Sequence, residues 1–219
     1  MDYKKLFHKE EAFQRETFQK RMEEFGFKNM ARMELFLWDL ELFLHIQKIL
    51  GDKIILKGGA ATQFYLPRDA QRTSVDIDML FFGTEEEIKK TLRKIEEYLG
   101  TEDELFYFHK HSPKNPKTNL PLHTYYTKVP SVLSNAERNM ERESIPYQEL
   151  KIEFILQPEK WEYERRTGEN IFAVNSSWNY QILPLNYLFA DKLTTLGCNT
   201  IGVQNERLDE QVKQFYDIM

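Results

Sequence analysis

"ILKGGAATQFYLPRDAQRTSVDIDMLF", residues 55–81, holds the two local features that decide the fold. A short apolar run ends at Gly58 and Gly59, and an alternating run then places Asp76 and Asp78 on either side of Ile77. Paired glycines lose more backbone entropy on folding than other residues, and Asp is disfavoured inside strands, so each feature needs a compensating reason. The first run reads as a strand, the glycines as a tight turn, and "AATQFYL" as a short helix ahead of Pro67. In "SVDIDMLFF", Val75, Ile77 and Met79 share one face while Asp76, Asp78 and Leu80 share the other, which predicts a half-buried strand.

Working outward, Leu35, Trp38, Leu42, Ile46 and Ile49 step by three or four, and the first fifty residues read as two helices broken near Gly26. "TEEEIKKTLRKIEEYLG" predicts a helix with Thr84 as N-cap, acids in its first turn and Gly100 as its stop. Strands are expected at "ELFYFH", "LPLHTYYTKV" and "ELKIEFIL", and helices at "LNYLFADKLTTLG" and "RLDEQVKQFYDIM". The expected fold class is α/β of the α+β type: a small mixed sheet flanked by helices. The expected organisation is a helical segment over 1–50, a core over 51–183 and a helical segment over 184–219, the last being the start of a larger helical part.

The chain has 219 residues, 41% of them apolar, enough for a sizeable core. A formal charge of −5 gives no global basic field for nucleic acid, although local patches are not excluded by it. Cys198 is the single cysteine and has no internal disulfide partner. The N-terminus lacks the apolar segment of a signal peptide, and no stretch reaches the ~18 apolar residues of a membrane span. The expected location is the cytoplasm.

Strand alternation sets the carboxylates of Asp76 and Asp78 on one face, roughly 6.5–7 Å apart along the chain. Two carboxylates joined by a third from a neighbouring strand can bridge two hard cations for phosphoryl chemistry. Glu153 is the third, since "ELKIEFIL" sets it on one face with Lys151, opposite Leu150, Ile152 and Phe154. Gly58 and Gly59, without Cβ atoms, would let the backbone approach a phosphate beside these acids. Taken singly, the glycines are an ordinary tight turn and the aspartates an ordinary solvated strand face.

Together, the glycine pair, the short helix and the Asp-x-Asp strand resemble the DNA polymerase β-like nucleotidyltransferase superfamily. "LKGGAATQFYLPRDAQRTSVDID" is similar to the glycine and Asp-x-Asp stretch of the AbiEii/AbiGii toxin nucleotidyltransferases, with Arg72 and Ser74 matching its arginine and serine. "LKIEFIL" stands where that family carries its third acidic strand, and "LFADKLTTL" with "NERLDEQVKQFYDI" resembles its later helices. Ala60 departs from the family's Thr or Ser, and the tail pattern is looser around Asp209 and Lys213.

The resemblance implies Mg²⁺, as two ions, held by Asp76, Asp78 and Glu153, and an NTP whose phosphates meet Gly58, Gly59 and Lys192. Arg72, Ser74 and Lys57 join the nucleotide-binding set; Arg72 serves a phosphate or pairs with Asp69 or Asp76, and Lys57 carries the same ambiguity. Lys192 on residues alone is an ordinary helix-surface lysine. The implied activity is nucleotidyl transfer to an acceptor hydroxyl, on RNA and specifically a tRNA 3′ end, by a toxin paired with an antitoxin. The alternative is a non-catalytic module of the same fold that binds nucleotide or a partner.

His109, His111 and His123 lack zinc spacing, and no serine-hydrolase elbow, P-loop or dinucleotide fingerprint occurs. "HKHSPKNPKTN", with Lys110, Lys114 and Lys117 and aromatic neighbours, reads either as an RNA-gripping loop or as a solvated hairpin loop.

Overall fold

The computed structural model describes residues 2–112, 121–133, 147–196 and 212–216. Its elements in chain order are helix α1 (Arg15–Phe25), helix α2 (Met30–Leu50), strand β1 (Ile54–Leu56), helix α3 (Gly58–Thr62), strand β2 (Asp76–Phe81) and helix α4 (Glu85–Leu99). Strands β3 (His109–Lys110), β4 (Leu122–Pro130), β5 (Tyr147–Leu156), β6 (Glu164–Gly168) and β7 (Ser176–Ile182) follow, then helix α5 (Leu185–Thr195). The seven strands form one mixed sheet in the order β3-β4-β5-β2-β1-β7-β6. β2 runs parallel to β5 and β1 parallel to β7, while the other pairs are antiparallel.

The α/β class expected from the sequence is the one observed. Gly26 ends α1 in the left-handed conformation, and Asn29 caps α2 by accepting from the Arg32 backbone N–H. Thr84 and Glu87 close a reciprocal capping box at the start of α4. These are the boundaries that local chemistry dictates, and tertiary packing leaves them in place.

The centre of the molecule is α2. Spacing in threes and fours predicts one apolar face, but the helix is buried all round from Phe36 to Ile46. It packs against β1, β2, β5 and β7 while α1 and α4 cover it from other sides. Apolar residues of β2 (Ile77, Met79, Phe81) and β5 (Leu150, Ile152, Phe154) join the same core.

Two elements differ from expectation. The strand expected over "ELFYFH" shrinks to His109–Lys110, because Asp103, Glu104 and Phe106 take positive φ angles that break an extended run. Phe106 turns inward instead, its ring 5.5 Å from that of Trp38. The β6–β7 hairpin carries no clear alternation in sequence, yet it extends the sheet beyond β1. The expected helix over "RLDEQVKQFYDIM" is described only at 212–216, which is helical.

Candidate active site

The β2–β5 register pairs Asp76 with Lys151 and Asp78 with Glu153. Since neighbouring strands in register point their side chains to the same side, the acidic face of β2 and that of β5 become one surface, opposite the apolar face that meets α2. Asp78 and Glu153 stand directly opposite each other across the two strands. Thr124 Oγ1 donates to Glu153 Oε1 at 3.1 Å, and Lys151 Nζ lies 2.9 Å from the same oxygen. Burial, followed by the negative charges of Glu153 and Asp76, pushes the Asp78 carboxyl up to about 7, against the opposing pull of Lys57.

The glycines have a use beyond turning the chain. Gly58 has a φ of +66°, and a Cβ there would run into the Asp78 carboxylate. At Gly59 a Cβ would lie 2.8 Å from Arg72 Nη2 and 3.2 Å from Ser74 Oγ. Gly58 thus admits Asp78, and Gly59 admits Arg72 and Ser74. The five-residue α3 is stapled within itself by Thr62 Oγ1 and Gln63 Nε2, which donate to the Gly58 and Gly59 carbonyls. Gln63 Oε1 also accepts from the Arg72 backbone N–H at 2.7 Å, tying the Arg72–Ser74 segment to the turn.

Helix α5 closes the opposite side. Lys57 Nζ reaches Asp191 Oδ1 at 2.7 Å. Lys192 is only 6% exposed and donates to Gln214 Oε1 at 2.9 Å, so it is not an ordinary surface lysine. Between α5 and the sheet lies a cavity of about 570 Å³, within the usual range for ligand sites. Lys57, Gly58, Asp78, Glu153, Asp191 and Lys192 all line it. Arg72, Ser74 and Gly59 do not line it; Arg72 and Ser74 pack against Gly59, and Arg72 Nη1 donates to the Thr73 carbonyl at 3.1 Å.

Among the described residues, no three His, Cys, Asp or Glu side chains are gathered as tightly as a metal centre requires. The donor chemistry nonetheless fits a hard cation: three carboxylates share one face, and burial followed by the charges of Glu153 and Asp76 raises Asp78. Asp39 on α2 was missed by sequence reading. It is fully buried, neither carboxylate oxygen has a hydrogen-bond partner, and burial together with the charges of Asp76 and Asp78 raises it well above the usual carboxylate range. No motif marks it, because its position in α2 is otherwise apolar.

His123 lies 3.6 Å from Glu85, and no histidine cluster forms among the described residues. Lys110 of the basic segment bonds Glu85 at 2.6 Å. Lys114 and Lys117 lie outside the described residues, as do Asp209 and Cys198.

With this geometry in place, the sequence comparison is decisive. The family model for the AbiEii nucleotidyl transferase toxin of type IV toxin–antitoxin systems matches residues 42–219. The chain belongs to this AbiEii family. Its match takes in the glycine turn, both acidic strands and α5. No curated protein matches the sequence. Among solved structures, JHP933 from Helicobacter pylori aligns at 13% identity and a TM-score of 0.46, covering 96% of this chain and 66% of that one. An H. pylori protein provisionally assigned as a nucleotidyltransferase aligns at 16% identity and a TM-score of 0.47, over 84% of this chain and 66% of its own. The Megavirus polyadenylate synthase aligns at 10% identity and a TM-score of 0.41, over 94% and 33% respectively. This AbiEii-family chain therefore spans just under two thirds of the first two of these structures. No helix among the described residues is long and apolar enough to cross a membrane.

Proposed function

We propose that this AbiEii-family chain transfers a nucleotide from an NTP to a hydroxyl of RNA, at a tRNA 3′ end, as the toxin of a toxin–antitoxin pair in the cytoplasm. The observation that carries the reading is the in-register Asp78–Glu153 pair, facing one cavity with Gly58, Lys57 and Lys192. A simple binder of phosphates gains nothing from carboxylates beside a polyanion, whereas a metal-using transferase requires them.

In this reading Asp76, Asp78 and Glu153 hold divalent cations, Mg²⁺ in two sites. When bound, these ions supply positive charge against the triphosphate and a lowered pKa for the attacking hydroxyl. Lys192 neutralises phosphate from the α5 side, with Lys57 fixed next to the glycine turn by Asp191. Gly58 and Gly59 keep the turn low enough for phosphate to approach. Arg72 and Ser74 brace it from behind and add donors at its edge. Cationic residues of the 109–119 segment are assigned to the RNA backbone, because an acidic site needs a separate positive surface to retain a polyanion. An antitoxin protein is the expected macromolecular partner.

The test is incubation of the purified chain with each labelled NTP, Mg²⁺ and either total RNA or a protein lysate. Label in RNA at tRNA 3′ ends is the expected result. Label in protein alone would exclude the RNA acceptor while leaving nucleotidyl transfer in place. NTP binding with no transfer to either would favour the non-catalytic module.

A further inference from the structure

The surface that carries the candidate acids changes character two residues further along. On β2, Asp78 is followed on the same face by Leu80, and on β5, Glu153 is followed by Ile155. Leu80 pairs with Ile155, and Leu122 of β4 pairs with Ile155 from the other side, just as Thr124 pairs with Glu153. One continuous strand face is therefore charged at one end and aliphatic at the other, the two ends being roughly 6.5–7 Å apart.

Above the aliphatic end stand two aromatic rings. Trp161, from the segment after β5, and Tyr187, from the first turns of α5, meet edge to face with centroids 5.3 Å apart. They are 37% and 38% exposed, and Leu122 is 39% exposed. All three, with Leu80 and Ile155, line the same cavity as Asp78, Glu153 and Lys192. Tyr187 precedes Asp191 by four residues on α5, so the two share a helix face about 6 Å apart. Asp191 in turn is bonded to Lys57 at the glycine turn. The rings are thus about one helical turn from the cationic and acidic groups.

Open apolar surface next to a charged cluster calls for a ligand that is anionic at one end and flat and apolar at the other. We infer that Trp161 and Tyr187, over the floor of Leu80, Leu122 and Ile155, form the seat of the nucleobase of the bound NTP. This inference rests on the nucleotide reading of the cavity. A base offers a π face to the exposed rings and to the aliphatic floor, while the triphosphate extends toward Lys57 and Lys192. Gln157, which also lines the cavity, is the neutral polar side chain placed to meet a base edge there.

The experiment compares Mg²⁺-NTP with Mg²⁺-tripolyphosphate, which has the phosphates and no base, by equilibrium binding to wild type, Trp161→Ala and Trp161→Phe. Trp161→Ala is expected to weaken each NTP about 5- to 150-fold, the range measured for losing one stacked base, and to leave tripolyphosphate unchanged. Trp161→Phe keeps a ring and should restore most of the NTP affinity. NTP, but not tripolyphosphate, should also quench tryptophan fluorescence in wild type, and that quenching should vanish in Trp161→Phe, a readout that holds even if the alanine variant folds poorly. Equal losses for NTP and tripolyphosphate in Trp161→Ala, or unchanged NTP affinity, would overturn the base seat while leaving nucleotide transfer standing. Wild-type protein that binds neither probe would overturn the base seat and the nucleotide reading together.

Discussion

A side chain at Gly58 and the carboxylate of Asp78 cannot both occupy the space they would share. The Gly58 φ of +66° and the position of its missing Cβ, directed into Asp78, are two independent reasons for glycine at one position. Twenty residues of sequence separate this pair, and the turn and the acidic strand are therefore one device: the turn is shaped to let the acid in.

Gly58→Ala is accordingly expected to cost about 1–2 kcal/mol for the left-handed backbone and more for the collision. In an Asp78→Ala background the contacts with the carboxylate are gone and only the 2.9 Å approach to the residue-78 Cβ remains, so the same substitution should cost measurably less. Denaturant unfolding of the four proteins of that cycle gives the coupling directly. Additive losses would mean that the two residues do not compete for space.

Asp78→Asn is expected to abolish nucleotide transfer while leaving the melting temperature unchanged or higher. The substitution removes a charge that burial, followed by repulsion from Glu153 and Asp76, already disfavours, and it keeps the side-chain shape. Thermal melts alongside labelled-NTP transfer check both halves. A large fall in melting temperature would give Asp78 a structural role instead.

Much of the candidate site was legible in the chain because its determinants are local. Strand alternation set Asp76 with Asp78 and Glu153 with Lys151, and the glycine pair is visible to any reading of turns. What alternation does not contain is register. Only the parallel pairing of β2 with β5 places Asp78 opposite Glu153 and not opposite Lys151. Asp39 was invisible for a different reason: an acid in a largely apolar helix, as Glu34, Asp39 and Glu41 all are, looks like a solvent-facing residue until the helix proves to be buried on every side. The β6–β7 hairpin escaped because "ERRTG" and "SSWNYQI" owe their extended form to pairing with each other and with β1, a tertiary effect that outweighs weak local preference.

Asp39→Leu should raise stability by about 1–3 kcal/mol, since it replaces a fully buried, unpartnered carboxyl with an apolar group of similar size. Urea unfolding of the variant tests this. A loss of stability would show that the carboxyl has a partner in solution.

Acid should loosen the N-terminal segment through Glu41. Its Oε2 lies 2.6 Å from His8 Nδ1, its Oε1 is 3.0 Å from His45 Nε2, and it accepts the backbone N–H groups of Phe7 and His8. Burial alone would raise this carboxyl, but the hydrogen bonds from His45 and His8 and the charge on His8 outweigh it and hold Glu41 at about 2. A depressed folded-state value stabilises the fold above the unfolded value of about 4.5, and that contribution, roughly 3 kcal/mol, is lost as pH falls through about 2. Stability of wild type should therefore drop between about pH 4.5 and pH 2, and Glu41→Gln should flatten the drop. An unchanged slope in Glu41→Gln would remove Glu41 as its source.

Lys192 provides the last and sharpest separation of charge from shape. It lines the cavity together with Asp78 and Glu153, yet its ammonium also donates to Gln214, so a purely structural role is a concrete rival. If it meets phosphate, Lys192→Ala should weaken NTP about 10- to 100-fold, as expected for losing a hydrogen bond to a charged group. The same variant should show a shallower dependence of NTP affinity on ionic strength, because salt screens the charge that has been removed. Gln214→Ala breaks the internal bond and keeps the charge, so it should leave the salt slope as in wild type. Titrations of NTP across a series of salt concentrations distinguish the cases. A Lys192→Ala protein with the wild-type slope and a lowered melting temperature would return Lys192 to the scaffold that joins α5 to the 212–216 helix.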